Sequence, residues 1–289
     1  MPAGLRVASL SVVNRSFALV LDFLRAEEDR GVTHVHLDDE ARGILRTLFL
    51  QGKGGGEVIA GPDREAVAVV PTVAVPVVTG ATPAERIASL AAQAEDWAAA
   101  RMLGTLRETM VFSTGNPEAD LMLVGEAPGH HEELQREPFV GPAGQKLDDI
   151  LRAMGLARGQ VYISNIVKFR PRMPNQSNNN RKPTPEEMAA CLPFVRAEVA
   201  VVRPKCIVAL GATAAEGLLG LSGAVARMRG TWHSFEGIPA RVTYHPAYLI
   251  HSNANHSQKR QVWEDMLEVM KLLGMEISPK QQGFFLPRA

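Results

Sequence analysis

From Asp120 onward, short apolar runs alternate with stretches of helical periodicity, and no other feature of the 289-residue chain restricts its fold so tightly. Residues 121–124, 161–164, 205–210 and 240–244 are short, largely apolar runs, as strands are when both faces of a parallel sheet are covered. Between and after them helices are predicted near 144–154, 185–202, 213–219 and 258–273, and a capping box, Thr184-Pro185-Glu186-Glu187, marks the start of the second. The expected class is α/β, a three-layer α/β/α sandwich around a central four-stranded, mostly parallel sheet.

The functional signal lies just past the strand ends. The first run ends in Gly125-Glu126-Ala127-Pro128-Gly129, the second in Asn165, the third in Gly211-Ala212 and the fourth in His245-Pro246. The carboxyl ends of the strands of an open parallel sheet line one crevice. A carboxylate, a carboxamide, a glycine turn and an imidazole are therefore expected to meet there.

Upstream, residues 16–51 read as a helix (17–29), a strand (32–37) and a second helix (39–50), so 1–51 is expected to be a small N-terminal α/β extension. Residues 52–81, rich in Gly, Pro and Val, read as a linker. Thr82-Pro83-Ala84-Glu85 is a second capping box, from which a helix is predicted over 83–102. The remaining divisions are a domain over 82–275 and a tail over 276–289.

Two cysteines, Cys191 and Cys206, can build no disulfide scaffold and point to a reducing compartment, expected to be the cytoplasm. No apolar run is long enough to span a bilayer, and no secretory leader pattern opens the chain. The 31 basic and 31 acidic residues cancel, but unevenly: residues 1–95 carry nine basic against twelve acidic side chains, and the remainder is net positive. Residues 150–185 hold Arg152, Arg158, Lys168, Arg170, Arg172, Arg181 and Lys182 with no acid, a local basic patch that is either a solvated face or a surface for an anionic partner.

Five ordered motifs sharpen this reading. Gly125-Glu126-Ala127-Pro128-Gly129, Pro138-Phe139-Val140-Gly141-Pro142-Ala143-Gly144, Asn165-Ile166-Val167-Lys168-Phe169-Arg170-Pro171, Pro183-Thr184-Pro185-Glu186-Glu187 and His245-Pro246-Ala247-Tyr248-Leu249-Ile250 resemble, in order and nearly in spacing, those of family 4 uracil-DNA glycosylases over roughly residues 85–274. The resemblance implies a monofunctional repair glycosylase that flips uracil out of DNA, hydrolyses its N-glycosidic bond and leaves an abasic site. Its partner is then uracil-containing DNA, with no membrane, a monomeric state, and an unknown protein partner for the N-terminal extension.

Cleavage of that bond builds positive charge on the sugar and negative charge on the departing base. The resemblance assigns Glu126 to the attacking water and the sugar cation, and His245 to the uracil oxygen that gains charge. Gly125 and Ala127 flank the base, Phe139 supplies a stacking platform, and Asn165 reads the Watson-Crick edge by accepting from N3–H and donating to O4. Lys168, Arg170 and Arg172 are expected to contact phosphates, and Tyr248, Leu249, Ile250 and His251 to press into the duplex, His251 standing where the family usually has arginine.

The resembled family holds a 4Fe-4S cluster on four cysteines. The matching positions here are Ala98, Arg101, Phe169 and Cys191, so no cofactor is expected. The stretch 173–180 lengthens the same loop and is expected to be mobile. His130, His131 and Glu132 with His245 would make a metal site only if the adjacent histidines converged. Two alternatives stand beside the leading reading: a catalytically inactive glycosylase-like module that binds nucleic acid, and a glycosylase for another deaminated base such as hypoxanthine.

Overall fold

The computed structural model describes residues 75–250 and 256–286, which belong to the unit beginning at Val70. The expected N-terminal extension, most of the linker and His251 lie outside the described residues.

In chain order the elements are α1 (Pro83–Glu95), α2 (Ala98–Arg101), β1 (Leu106–Met110), β2 (Ser113–Gly115), β3 (Leu121–Gly125), α3 (His130–Gln135), α4 (Pro142–Met154), β4 (Tyr162–Asn165), β5 (Phe169–Pro171), α5 (Pro185–Val202), β6 (Cys206–Leu210), α6 (Ala212–Leu219), α7 (Val225–Met228), β7 (Trp232–Phe235), β8 (Ile238–Thr243), α8 (His256–Leu272) and α9 (Pro279–Gln282). The main sheet has the order β2-β4-β3-β6-β8-β7. Its central four strands are parallel and coincide with the four apolar runs.

The sheet has six strands rather than four, because β2 and β7 pair antiparallel at its edges. Both escape an apolar-run criterion for the same reason. Ser113-Thr114-Gly115 is short and polar, and Trp232-His233-Ser234-Phe235 keeps one face in water. The turn between β7 and β8 did leave a trace: Glu236 and Gly237 both have positive φ (50° and 81°), the conformation of a tight two-residue hairpin turn. A separate ribbon pairs β1 with β5.

Side-chain alternation on the central strands divides the core. Leu121 and Leu123 of β3, with Cys206, Val208 and Leu210 of β6, pack with Leu147 and Leu151 of α4 and Trp263 and Met266 of α8. Met122, Val124, Ile207 and Ala209 point to the other face and meet Val195 and Val199 of α5 and Ala214 and Ala215 of α6. Both faces are covered, which is why β3 and β6 show no polar alternation.

Both capping boxes form, with the Glu85 and Glu187 backbone amides donating to the Thr82 and Thr184 hydroxyls. The first helix stops at Glu95 rather than running to residue 102. Trp97 leaves helical geometry, donates its indole N–H to the Ala190 carbonyl (2.8 Å) and meets Phe194 edge-on at 4.8 Å. A tertiary anchor outweighs local helix propensity here. The described end of the expected linker is fixed, since Gln93 exchanges hydrogen bonds with the backbone N–H and carbonyl of Val77.

Candidate active site

The strand order reverses at β3, with β4 on one side and β6 on the other, and the crevice beyond the carboxyl ends of these strands is where such sheets bind ligands. Gly125 pairs directly with Asn165 across β3 and β4. The ladder continues into the following turn, where the Ile166 and Val167 amides donate to the carbonyls of Gly125 (3.0 Å) and Glu126 (3.1 Å). Gly211, after β6, donates to the Thr243 carbonyl of β8, which carries His245 toward the same end of the sheet.

Absence of a side chain at position 125 makes the pocket possible. A Cβ there would lie 2.4 Å from Asn165 Oδ1 and 2.5 Å from Phe139 Cζ, so Asn165 and Phe139 occupy the space that glycine vacates. Phe139 itself has φ of +56°, an uncommon backbone for an aromatic residue. Its ring stacks against His245 with centroids 5.6 Å apart and planes inclined by 28°.

Glu132 holds that strained loop. One carboxylate oxygen accepts from the amides of Val140 (3.1 Å) and Gly141 (2.9 Å), the other from Gly129 (3.2 Å). The carboxylate thus joins the loop after Glu126 to the one that carries Phe139. This bracing role was missed in the sequence, where Glu132 read only as a member of a possible metal cluster; its spacing from Gly129, three residues on at a helix start, was the available signal. No group of three or more metal-ligating side chains occurs among the described residues.

Asn165 is 2% exposed, and its Oδ1 has no hydrogen-bond partner. An acceptor so placed costs free energy unless a donor arrives. His245 Nδ1 accepts from the Ala247 amide (3.2 Å). Burial lowers its pKa to about 4, opposed by the Glu132 charge, so at neutral pH the ring is uncharged and its proton sits on Nε2. Burial raises the pKa of Glu126, opposed by a hydrogen bond from the buried Thr213 hydroxyl and by Lys182. Thr213, in the first turn of α6, is a site residue that only the fold reveals. Ala127 sits half-buried against the core face formed by α5 and α6.

The basic stretch departs from expectation. Lys168 is fully buried and paired with Glu198 at 2.6 Å. Arg170, 1% exposed, pairs with Glu133 at 3.0 Å and donates to Ser177 O, Asn179 O and Asn180 Oδ1. Neither faces solvent, so neither reaches a phosphate; both charges are used inside the fold, and Arg170 fixes the 173–180 loop that was expected to be mobile. Of the three, Arg172 alone is exposed, 4.0 Å from Glu108. Tyr248 and Ile250 are 43% and 44% exposed at and just beyond the short 3-10 turn Pro246–Leu249. Tyr248 stacks on Tyr244 (5.1 Å, 12°), and Leu249 helps line an adjoining cavity of about 230 Å³ with Lys146, Lys259 and Trp263.

A strained aromatic, an amide with an idle acceptor and a neutral imidazole thus adjoin one another, with a desolvated carboxylate on the residue after Gly125. Residues 112–267 match the sequence profile of the Uracil DNA glycosylase superfamily. The chain is 39% identical over 175 residues to the Type-4 uracil-DNA glycosylase of Thermotoga maritima, covering 59% of this chain and 86% of the relative. It is 37% identical over 183 residues to the Type-4 uracil-DNA glycosylase of Archaeoglobus fulgidus (61% and 85%) and 28% identical over 174 residues to the Type-5 enzyme of Pyrobaculum aerophilum (54% and 72%). The chain belongs to the uracil DNA glycosylase superfamily and, within it, sits with the Type-4 enzymes.

That kinship corrects the expectation of a cofactor-free protein. Type-4 enzymes are the group to which the resemblance attaches an iron-sulfur cluster, so membership speaks against inferring its loss. What the structure supports is narrower. Ala98 and Cys191 offer one thiol between them, Cys191 is buried with its pKa pushed up to about 11 by desolvation, and the Arg101 guanidinium lies 4.6 Å over the Phe169 ring. This donor set does not fit a four-thiolate cluster.

Proposed function

We propose that the chain removes uracil from DNA by hydrolysing the N-glycosidic bond, using the crevice at the ends of β3, β4 and β8. The observation that carries this reading is the buried, unpartnered Oδ1 of Asn165, which shares with the Phe139 ring the space beside Gly125. Uracil N3–H is the donor that oxygen lacks, while the Asn165 amide can donate to uracil O4; cytosine presents the opposite pattern.

The flipped base stacks on Phe139. As the bond between N1 and the sugar C1′ lengthens, its electron pair leaves with the base, and His245 Nε2–H donates to the uracil oxygen that gains charge. Because the cationic ring is disfavoured, it is the neutral imidazole that stabilises this anion, by hydrogen bonding and without protonating it. Water adds to C1′, and Glu126 takes the proton it sheds while its charge stabilises the sugar cation. Gly125 leaves room for Asn165 and Phe139 to close on the base, and Ala127 helps shape the floor. Arg172 contacts phosphate at the rim, and Tyr248, Leu249, Ile250 and His251 fill the gap in the duplex. The catalytic domain spans 82–275, joined by a linker (52–81) to the N-terminal extension (1–51), which docks a protein partner; 276–289 is a tail. The protein works as a cytoplasmic monomer. No helix among the described residues is long and apolar enough to cross a membrane.

The test is cleavage of labelled oligonucleotides bearing U:G, U:A, single-stranded U or hypoxanthine, followed by alkali. Uracil-dependent strand breaks are expected. Retardation of DNA with no breaks on any substrate would establish the binding-module reading, and breaks only at hypoxanthine would reassign the base. Asn165→Asp, which exchanges a donor for an acceptor opposite position 4, is expected to lose preference for uracil over cytosine.

A further inference from the structure

We propose that Glu198, on α5 behind the pocket, is a positioning residue for base reading: it fastens the chain on both sides of Asn165. This rests on Asn165 being the base-reading residue. Ser164, immediately before Asn165, approaches both Glu198 carboxylate oxygens (3.1 and 3.0 Å). Lys168, three residues after Asn165, donates to Glu198 Oε2 (2.6 Å) and to Ser164 Oγ (2.6 Å). The two ends of the turn that carries Asn165 thus converge on one carboxylate.

Every group in the network has a partner. Tyr162 donates to Glu198 Oε1 at 3.0 Å, with Ser113 Oγ of the edge strand β2 2.7 Å from its hydroxyl. The remaining side of the Lys168 ammonium faces the Phe112 ring at 4.7 Å. Ser164, Lys168 and Glu198 are wholly buried. Strand alternation gives the arrangement its purpose: Tyr162 and Ser164 point toward α5, so Asn165, next along the strand, points the other way into the pocket.

A buried ion pair is poor evidence of stabilisation, because well-packed apolar replacements are often as stable. A single geometry for the chain between its attachment points is what such a pair can supply instead. Asn165 needs that geometry, since its amide must meet two edge atoms of a base at once and misplacement by about an ångström forfeits much of the effect of orientation. Glu198 touches no substrate; it acts through Asn165.

Two variants test the clamp. Lys168→Met with Glu198→Leu removes both charges while keeping the volume, and Ser164→Ala removes one attachment while leaving the ion pair intact. In each, melting temperature, hydrogen exchange of the 164–168 backbone, and KM and kcat for uracil against cytosine in single-stranded DNA are measured. The double variant is expected to melt near the parent, exchange faster over 164–168, raise KM for uracil roughly 10- to 100-fold with a smaller change in kcat, and lose selectivity over cytosine. Ser164→Ala should raise KM about 2- to 10-fold in the same pattern. Unchanged exchange at 164–168 in a double variant that remains folded overturns the proposal, whether or not the parent excises uracil. Faster exchange with KM and selectivity unchanged overturns it too, leaving a purely structural ion pair. A parent inactive on uracil would instead remove the reading of the site, a separate failure seen before any variant is made.

Discussion

The crevice and the basic stretch that borders it handle polar groups in opposite ways. Around the crevice the fold leaves Asn165 Oδ1 without a donor, desolvates Glu126 and keeps the His245 ring uncharged. In residues 150–185, all seven cations meet a carboxylate from outside that stretch: Arg152 with Asp149, Arg158 with Asp148 and Glu137, Lys168 with Glu198, Arg170 with Glu133, Arg172 with Glu108, Arg181 with Glu187 and Lys182 with Glu216. A run of like charge in sequence therefore says little about charge at the surface, whereas a polar group that the fold declines to satisfy says much about what is meant to bind. Function sits where the structure stops short of satisfying itself.

The largest effect that could break this contrast is on stability. Arg170→Ala should cost roughly 3–5 kcal/mol in denaturant unfolding, since it leaves Glu133 with Arg107 as its one remaining guanidinium and takes the donors from Ser177 O, Asn179 O and Asn180 Oδ1 that fix the 173–180 loop. The slope of DNA affinity against salt should stay as in the parent; a shallower slope would show that Arg170 meets phosphate after all. Next, His245→Ala should slow single-turnover cleavage about 10²–10³-fold with little change in stability, the size of loss seen when one donor to a developing anion is removed.

Smaller effects sharpen the comparison through pH. The acidic limb of kcat is expected above 4.5, the ordinary Glu126 value, because desolvation raises that pKa. Thr213→Val removes a hydrogen bond that lowers it, so the limb should move further toward neutral pH. His245 contributes in the opposite sense to its ordinary titration. With a folded pKa of about 4 against 6.5 unfolded, its share of stability is complete above 6.5 and is lost as pH falls toward 4, because only the unfolded chain takes up the proton in that window. Thermal melts of the parent and of His245→Asn should be similar above pH 6.5 and diverge as pH falls through that window, the parent alone losing stability. The smallest effect falls on Arg172: its alanine variant should change stability by under about 1 kcal/mol, since the pair with Glu108 is exposed and long, while DNA binding loses about one unit of salt slope.

Legibility of the chain tracked the range of the forces involved. The four central strands, α5 and the two capped helix starts were legible because burial on both faces and a capping hydroxyl are local facts. The edge strands were not, since Ser113–Gly115 and Trp232–Phe235 become strands only by pairing with a neighbour. The pocket residues could be placed at strand ends, but their states could not: the low pKa of His245, the idle Oδ1 of Asn165 and the Thr213 contact with Glu126 arise from segments far apart in sequence. For the same reason Lys168 and Arg170 were assigned to solvent, because Glu198 and Glu133 lie 30 and 37 residues away.

The empty position beside Asn165 bears on how such a pocket can change over generations. Every codon change that replaces Gly125 adds at least a Cβ, which would collide with both Asn165 and Phe139, and at Gly144 the same change would drive a carbon to within 1.7 Å of the Phe139 carbonyl oxygen. Neither glycine can be altered alone without displacing the aromatic platform. A lineage that acquires a new base preference must therefore move two or three of these residues together or change Asn165 first, and the pocket resists gradual drift although most of its walls are ordinary core.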